Sequence, residues 1–329
     1  MPASFRCAAL PPRGGHPANE RSVRRQASAG ARRRAPGGRG GPIRLTRSTV
    51  VNTTILADGF VFLEGPRWRG DRLWVSDMRG DTVYTVRGDG SRERMARLPN
   101  RPSGIGFLPD GTPLIVSMLD RKLMCLRGGK LAVHADLAPL VRGDINDMVV
   151  DAQGRAYIGS FGFDLHAKEK FRPAAMVMVT PDGRARIAAE ELRMPNGTAI
   201  TPDGRTLVVA ETFGRRLSAF DIAADGALSG RRVFAELPGA SPDGICMDRQ
   251  GGVWVADVAQ DVFVRVEDGG RITERLPVAG RAVACQLGGA DGRTLFLMVA
   301  EGTMEDIAAG TTRARIETCT VAVPGSGSP

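Results

Sequence analysis

One strand pattern returns six times along the chain, and this repeat restricts the possible folds more than any other feature. Each unit contains a short strand, a turn built on Asp-Gly or a close variant, and a strongly β-prone strand that ends in a small residue. The intervals between the ends of these second strands are 41, 42, 51, 46 and 42 residues, close to the ~40–45 residues of a four-stranded propeller blade. The pattern predicts an all-β fold, a six-bladed β-propeller. The second strands end at Ser76, Ser117, Gly159, Ala210, Ala256 and, less clearly, Met298.

A propeller ring has to be closed, because an open edge strand would leave backbone groups unpaired. The apolar stretch at residues 50–57 precedes the first unit and is the candidate for the strand that completes the last blade. A β-sandwich would need fewer units, and a helical repeat would need a 3.6-residue periodicity that the sequence lacks. We therefore expect residues 48–329 to form one propeller domain.

The positive charge of the chain is concentrated in its first 50 residues. Of 45 basic and 36 acidic side chains, this segment holds 11 arginines and one acid, which leaves 34 basic and 35 acidic side chains elsewhere. Residues 1–47 are rich in Pro, Gly and Ser without apolar periodicity, so they predict a disordered tail that takes no part in the fold. The nearly neutral remainder argues against a nucleic-acid partner, and the lack of long apolar runs argues against a membrane partner.

The cysteine pattern indicates reduced thiols. Five cysteines are an odd number, and they are widely spaced, with no C-x-x-C pair and no signal peptide. We therefore expect a cytoplasmic protein without disulfides. Three histidines leave no dense His/Cys cluster for a zinc site.

The first strand of each blade lines the central channel of a propeller, so residues at one repeat position of those strands converge near the axis. Counting eight residues back from the turn glycine selects one position in each of the last five units, and Glu64 occupies the equivalent place in the first unit by a shorter count. Four members of this column bear carboxylate or amide oxygens, which suit a hard divalent cation such as calcium better than they suit zinc or copper. Taken singly, Asn196-Gly197 and Asp243-Gly244 are ordinary turn dipeptides. The column consists of Glu64, Ser103, Asn146, Asn196, Asp243 and Ala284.

A second acidic column lies one residue after the small residue that ends the second strand. Its members are Asp77, Glu211 and Asp257. Because this position belongs to a strand away from the axis, we expect structural carboxylates that bind loops.

Four sequence motifs resemble those of a known family. They are Leu63–Pro66 (LEGP), Ile145–Asp147 (IND) with DAQG at 151–154, Pro195–Gly197 (PNG) with PDG at 202–204, and Ser241–Gly244 (SPDG). They occur in order at blade-length spacing, and over about residues 55–325 the chain resembles the senescence marker protein-30/gluconolactonase/luciferin-regenerating-enzyme family. The resemblance implies a six-bladed propeller that holds one divalent metal on the channel axis, often calcium, and that in many members hydrolyses lactones.

The resemblance also implies roles for individual residues. Glu64, Asn196 and Asp243 would be direct metal ligands, Asn146 a ligand or a substrate-orienting group, and Asp243 also the general base. Calcium is favoured as the cofactor, with Mg²⁺, Mn²⁺, Zn²⁺ and Fe²⁺ as alternatives. The residues expected to bind substrate are Ser103, Asp144, Asn146 and Asp164.

The chain departs from the sugar-lactone pattern at one place. Animal aldonolactonases of the family carry an arginine that helps bind the sugar, where this chain has Asp144. Their substrate-binding glutamate is matched by Asp164, so that carboxylate is kept. Loss of the arginine argues against an ordinary gluconolactone substrate.

The leading prediction is a metal-dependent hydrolase of a small-molecule lactone, with the metal as Lewis acid. One alternative is an organophosphate-type ester hydrolase that uses the same site. Another is a non-catalytic propeller that binds a ligand or protein around a structural cation. Oxygen donors that converge in a channel, together with an aromatic content of only 5%, favour an enzyme.

Overall fold

The computed structural model describes residues 52–165 and 167–327, which form six antiparallel sheets of four strands each. The predicted six-bladed β-propeller is confirmed. The tail predicted at residues 1–47 lies outside the described residues. No helix within the described ranges combines the length and apolar character needed to cross a membrane.

In each of the first five blades, four consecutive strands pair in chain order from the innermost to the outermost. Blade 1 contains β2 (Leu63–Arg69), β3 (Arg72–Asp77), β4 (Thr82–Arg87) and β5 (Arg92–Arg97). Blade 2 contains β6 (Pro102–Phe107), β7 (Pro113–Ser117), β8 (Lys122–Arg127) and β9 (Lys130–Asp136). Blade 3 contains β10 (Ile145–Val150), β11 (Ala156–Ser160), β12 (Ala174–Val179) and β13 (Ala185–Leu192). Blade 4 contains β14 (Pro195–Ile200), β15 (Thr206–Glu211), β16 (Arg216–Ile222) and β17 (Leu228–Glu236), with a 3₁₀ helix at Thr212–Gly214. Blade 5 contains β18 (Pro242–Met247), β19 (Val253–Asp257), β20 (Val262–Val266) and β21 (Ile272–Pro277).

Blade 6 is built from both ends of the described chain. Its inner strands are β22 (Arg281–Gly288), β23 (Thr294–Glu301) and β24 (Arg313–Thr320), with helix α1 (Met304–Ala309) between the last two. Its outermost strand is β1 (Thr54–Phe60), which pairs antiparallel with β24 from Thr54 opposite Thr318 to Phe60 opposite Ala314. The predicted closure by an N-terminal strand is confirmed, and the strand runs to Phe60, beyond the predicted end at residue 57. This pairing joins the last blade to the first part of the chain and closes the ring.

The antiparallel order sorts the connections onto two faces of the disc. Each innermost strand starts on the face where the connector between the second and third strands lies, which we call the upper face. The Asp-Gly-type turns between the first and second strands lie on the lower face. They are hydrogen-bonded turns, as in Gly111, whose amide donates to the Leu108 carbonyl at 2.8 Å with a φ of 88°.

The hydrophobic core lies between neighbouring blades. Trp68 of blade 1 stacks on Phe296 of blade 6 at a ring-centroid distance of 5.2 Å. Trp74 meets Phe107 of blade 2 edge to face at 5.4 Å, and Trp254 is fully buried. The tryptophans therefore pack between blades, as aromatic side chains of facing sheets are expected to do. The four cysteines of the described residues, Cys125, Cys246, Cys285 and Cys319, are buried free thiols.

Glycines in the innermost strands let the blades approach each other closely. A Cβ on Gly104 would lie 2.6 Å from the backbone nitrogen of Met148 in the next blade. A Cβ on Gly197 would overlap the backbone nitrogen of Ile245, and one on Gly244 would lie 2.5 Å from the Ala284 Cβ. Gly197 and Gly244 thus lie inside β14 and β18 rather than in turns, which corrects the turn interpretation of these dipeptides. Their role is close packing of the ring.

Candidate active site in the central channel

The predicted column of residues lines the start of the innermost strands on the upper face. Five members occupy the second position of their strands, and all five are buried. Just after that position each of these strands contains a β-bulge, with one extra residue opposite its neighbour. A bulge turns a side chain away from the regular alternation and is common next to active sites. We call these five residues the axial ring; they are Glu64, Ser103, Asn146, Asn196 and Asp243.

The sixth member of the column does not extend the ring. Ala284 is the fourth residue of β22, not the second, and it packs against Gly244. Its methyl group offers no ligand atom.

Hydrogen bonds join the axial ring across blades. The Asn196 Nδ2 donates to Asp243 Oδ1 in a short contact, and it also lies 3.3 Å from Thr212 Oγ1. Thr212 in turn donates to the Pro242 carbonyl at 2.8 Å. On the other side, the Ser103 hydroxyl donates to Asn146 Oδ1 at 3.2 Å. These bonds connect blade 2 to blade 3 and blade 4 to blade 5 through polar groups at their inner edges.

The surroundings of Glu64 and Asp243, the two carboxylates of the axial ring, disfavour their charged forms. Burial, together with the negative charges of Asp243 and Asp147, raises the pKa of Glu64 well above its ordinary value of 4.5. Burial and Asp147 raise the pKa of Asp243 to about 8, although the hydrogen bond from Asn196 acts in the opposite direction. Buried like charges repel one another in a medium of low polarisability. A bound cation would offset this repulsion and favour the charged form of both carboxylates.

The donor set fits an oxygen-bound divalent cation. Asn196 Oδ1 is buried and has no hydrogen-bond partner, which is unusual for a buried polar atom and leaves it available as a ligand. The part of the chain that the structure describes contains no group of three or more His, Cys, Asp or Glu side chains arranged to hold a metal ion. A cation here would therefore depend on the amide oxygens as well as on the Glu64 and Asp243 carboxylates. Such a mixed oxygen set is typical of calcium sites.

A family model described as SMP-30/Gluconolactonase/LRE-like region matches residues 62–301, most of the propeller. The chain belongs to this family. Among curated relatives, an L-arabinolactonase from Azospirillum brasilense is 26% identical over 264 residues, which is 77% of this chain and 86% of the relative. A regucalcin from Danio rerio is 30% identical over 158 residues, or 46% of this chain and 52% of the relative.

Solved structures of the same fold support the architecture. A calcium-binding regucalcin from Agrobacterium tumefaciens superposes with a TM-score of 0.73 at 22% identity, covering 85% of this chain and 97% of that protein. A gluconolactonase from Xanthomonas campestris superposes with a TM-score of 0.66 at 24% identity, covering 83% and 91%. At these identities the likeness concerns the fold alone.

The two acidic residues expected to contact substrate lie on the upper face, outside the axial ring. Asp144 immediately precedes β10, and its backbone carbonyl accepts a hydrogen bond from the Phe161 amide at 2.8 Å. Asp164 is exposed in the connector between β11 and β12, where its Oδ1 accepts from the Ala167 amide at 2.8 Å. Asp144 thus lies two residues before Asn146 of the axial ring, on the face where the innermost strands start.

Sequence reasoning missed Arg67, which crosses the channel beneath the axial ring. Its Nη2 lies 3.3 Å from Asp147 Oδ1 and donates in a short contact to the Met148 carbonyl. The Met148 amide also donates to Asp147 Oδ1 at 2.8 Å. Arg67 stands three residues after Glu64, a spacing that regular alternation assigns to opposite faces. The bulge in β2 adds one residue between them, so that both side chains can lie on the channel side. Arg67 could have been recognised from the sequence only if this bulge had been recognised first.

The second acidic column is structural, as predicted. Asp77 accepts hydrogen bonds from the amides of Phe62 at 2.9 Å and Gly80 at 3.2 Å, and Asp257 accepts from the amides of Ser241 at 2.9 Å and Ala259 at 3.1 Å. These carboxylates hold the connectors of the upper face.

Glu211, the third member, is fully buried within a cluster of donors. Burial by itself would raise the pKa of Glu211, but four hydrogen bonds outweigh it, and the pKa lies below its ordinary value of 4.5. The donors are Arg216 at 3.0 Å, Arg231 at 2.9 Å, the Arg193 amide at 2.8 Å and, in a short contact, Ser218.

Replacing Glu211 by Gln is expected to lower the free energy of unfolding at pH 7 by roughly 1.5–3 kcal/mol, the scale of hydrogen bonds to a charged group. A carboxylate with a depressed folded pKa stabilises above its unfolded pKa, and this stability is lost as pH falls through the folded pKa. The deficit of Glu211→Gln should therefore shrink below about pH 4.5, near the ordinary value for the side chain. Urea unfolding at pH 7 and pH 3 measures it, with the exposed Glu236→Gln in the same blade as control. An equal deficit at both pH values would contradict the assignment.

Proposed function

We propose that this protein hydrolyses a lactone in its central channel with the help of one divalent cation. The observation that carries the proposal is the axial ring, in which two buried carboxylates and two buried amides occupy the same strand position at one mouth of the channel, and Asn196 Oδ1 has no hydrogen-bond partner. The proposed ligands are Glu64, Asn146, Asn196 and Asp243. Calcium is the favoured ion, because all the donors are oxygens and half of them are neutral.

The names of relatives support the same reaction class. The matched curated relatives include an L-arabinolactonase, and the solved structures of similar fold include a gluconolactonase. Regucalcins, one of them described as a calcium-binding protein, support the choice of ion. This chain belongs to the same family, which supports the proposal that its axial ring binds a cation and a lactone.

A cation held by Glu64, Asn146, Asn196 and Asp243 would supply Lewis-acid polarisation of the lactone carbonyl and would stabilise negative charge on its oxygen. The protein's own contribution begins with Asp243. Asn196 donates to its Oδ1 and so orients the carboxylate, which leaves Oδ2 to accept a proton from the attacking water. The water oxygen bonds to the carbonyl carbon, the ring C–O bond breaks, and the proton passes to the departing alkoxide to give a hydroxy acid.

Other residues of the upper face would orient the substrate. Ser103 donates a hydrogen bond to Asn146, which is itself a proposed ligand, so Ser103 and the Asn146 amide nitrogen lie beside the cation site and can contact the ester group. Asp144 and Asp164 lie further out and would contact substituents of the lactone ring. Arg67 would position Asp147 and hold β2 against β10 below the reacting centre.

Two expectations about the whole chain stay predictions. One is the division into a disordered tail at residues 1–47 and a propeller domain at residues 48–329. The other is the cytoplasm as the location, which the buried free thiols support because such thiols are kept reduced there.

A panel of lactones tests the proposed function. We expect the metal-loaded protein to hydrolyse at least one five- or six-membered lactone, and the same preparation to lose at least about 10²-fold of that activity in excess chelator, because the carbonyl is no longer polarised. Acid release measured by pH indicator reports turnover. The panel includes phosphotriesters and aryl esters. Turnover of a phosphotriester alone would replace the lactonase with the organophosphate-type hydrolase, and no turnover of any ester would favour the binding-module alternative.

A further inference from the structure

The connector between the second and third strands of blade 3 is unusually long. It runs over residues 161–173, whereas the equivalent connectors of blades 1, 2, 4 and 5 have four residues each, at 78–81, 118–121, 212–215 and 258–261. The blade 6 connector, at 302–312, is also long, but it contains helix α1. The nine extra residues of the blade 3 connector account for the one long repeat interval of 51 residues, compared with 42 in the preceding unit. Long connectors in compact domains are commonly functional. This one lies on the upper face, where the axial ring opens.

Three phenylalanines meet at this connector. The ring of Phe163 lies 5.8 Å from that of Phe171 and 6.1 Å from that of Phe213, and the remaining pair is 5.9 Å apart. Phe163 and Phe171 come from the two ends of the connector, while Phe213 comes from the 3₁₀ helix of blade 4. We call these three residues the aromatic wall. Phe163 is buried and forms its base, while 39% of Phe171 and 47% of Phe213 are exposed.

The aromatic wall is attached directly to the axial ring. Phe213 follows Thr212, whose hydroxyl contacts Asn196 Nδ2 and donates to the Pro242 carbonyl. On the blade 3 side, a Cβ on Gly143 would overlap the backbone carbonyl of Phe163, so the connector packs tightly just before Asp144. The wall therefore stands at the channel mouth between the blades that supply Asn146 and Asn196.

The chemistry of the wall is apolar on its exposed side. Single exposed apolar side chains are normal on protein surfaces, but two adjoining exposed aromatic rings beside a buried polar site form a contact surface. Arg193 lies over the Phe171 ring at 5.4 Å and helps to fix it in place. Leu165, also on the connector, is 44% exposed and adds to the apolar character of this side of the mouth.

We propose that the aromatic wall selects the substrate, so that the lactone carries an alkyl or aryl substituent instead of the hydroxyl groups of a sugar. This inference rests on the proposed function and deepens it. The reacting ester would lie at the axial ring, and the substituent would lie against Phe171 and Phe213.

A chain-length series tests the wall on the unmodified protein. We expect kcat/KM for γ-lactones to rise between about two- and fourfold for each added methylene from γ-butyrolactone to γ-octalactone, the scale of burying a CH₂ group. Glucono-δ-lactone should be a poorer substrate than γ-octalactone. A flat series, or a preference for the gluconolactone, would overturn the proposal while leaving lactone hydrolysis intact.

Substitutions of Phe213 test whether the preference for long substituents arises at the aromatic wall. Phe213→Ala should lower kcat/KM for γ-octalactone about tenfold and leave that for γ-butyrolactone nearly unchanged, because only the long substituent reaches the ring. Val233→Ala, a similarly exposed apolar position on β17 of the same blade, is the matched control and should change neither. Phe213→Leu keeps an apolar side chain and should show a smaller loss. Equal losses for both lactones would contradict the assignment.

A binding measurement separates this proposal from the proposed function. Titration calorimetry with an alkyl γ-lactam, which resembles the lactone but resists hydrolysis, should show binding that weakens about tenfold in Phe213→Ala. If no lactone is hydrolysed but the lactam binds in this Phe213-dependent way, the proposed lactone hydrolysis is wrong, whereas ligand selection by the aromatic wall is supported. If lactones are hydrolysed and lactam binding does not depend on Phe213, lactone hydrolysis is supported, whereas the proposed role of the aromatic wall is wrong.

Discussion

Replacing Asp243 by Asn should lower kcat on the best lactone by ~10²-fold or more, the usual scale for the loss of a positioned base. The substitution keeps the size of the side chain and one carbonyl oxygen that can still accept the Asn196 hydrogen bond, so the axial ring stays connected. It removes the basic oxygen that would take the proton from water. The fold should tolerate the change, because burial already disfavours the charged form at this position.

The measurement compares kcat of the two proteins with equal metal content, and circular dichroism checks the fold. Asp268→Asn is the matched control, since it removes a carboxylate from an exposed turn of the same blade without touching the channel. Turnover equal to that of the unmodified protein would exclude Asp243 as the base. Asp147 would then be the next carboxylate to test, although its Oδ1 is engaged by Arg67 and by the Met148 amide.

Calcium should stabilise the fold through the axial ring, and this effect should depend on Glu64. A ligand that binds only the folded state adds about 2.7 kcal/mol to the free energy of unfolding at a concentration of 100 times Kd. Glu64→Gln keeps an oxygen but removes one of the two negative charges of the proposed site. If Kd rises about 100-fold in this variant, the same calcium concentration adds only about 0.4 kcal/mol.

Urea unfolding with and without added calcium measures this difference, after chelator has been removed by dialysis. Metal analysis of both proteins should give about one divalent ion per unmodified chain and much less in the variant. Glu236→Gln, on the outermost strand of blade 4, serves as the control for loss of a glutamate away from the channel. Equal stabilisation of all three proteins would place the cation outside the axial ring and would remove Glu64 from the ligand set.

Much of the fold could be read from the sequence, because it depends on local chemistry. Alternating apolar residues and Asp-Gly turns specify hairpins over a few residues, and six such units leave little choice besides a six-bladed ring. The axial ring could be read for the same reason. The distance from Asn146, Asn196 and Asp243 to the following turn glycine is constant, so equal counting in each unit reaches equal depth in the channel. The interval of 51 residues marks the unit that contains the long connector, but its length alone does not say where in that unit the extra residues lie.

The tertiary structure alone decided how these residues meet across blades. The bond from Asn196 to Asp243, the support of Thr212 and the close approach at Gly197 all join separate blades, and they depend on the distance between neighbouring sheets. A β-bulge places Arg67 beneath Glu64 against the regular alternation of strand side chains. The aromatic wall joins Phe163 to Phe213, fifty residues further along the chain. Local sequence patterns report periodicity and turn chemistry within one blade, whereas contacts between blades depend on sheet twist and spacing, which the whole ring determines when it closes.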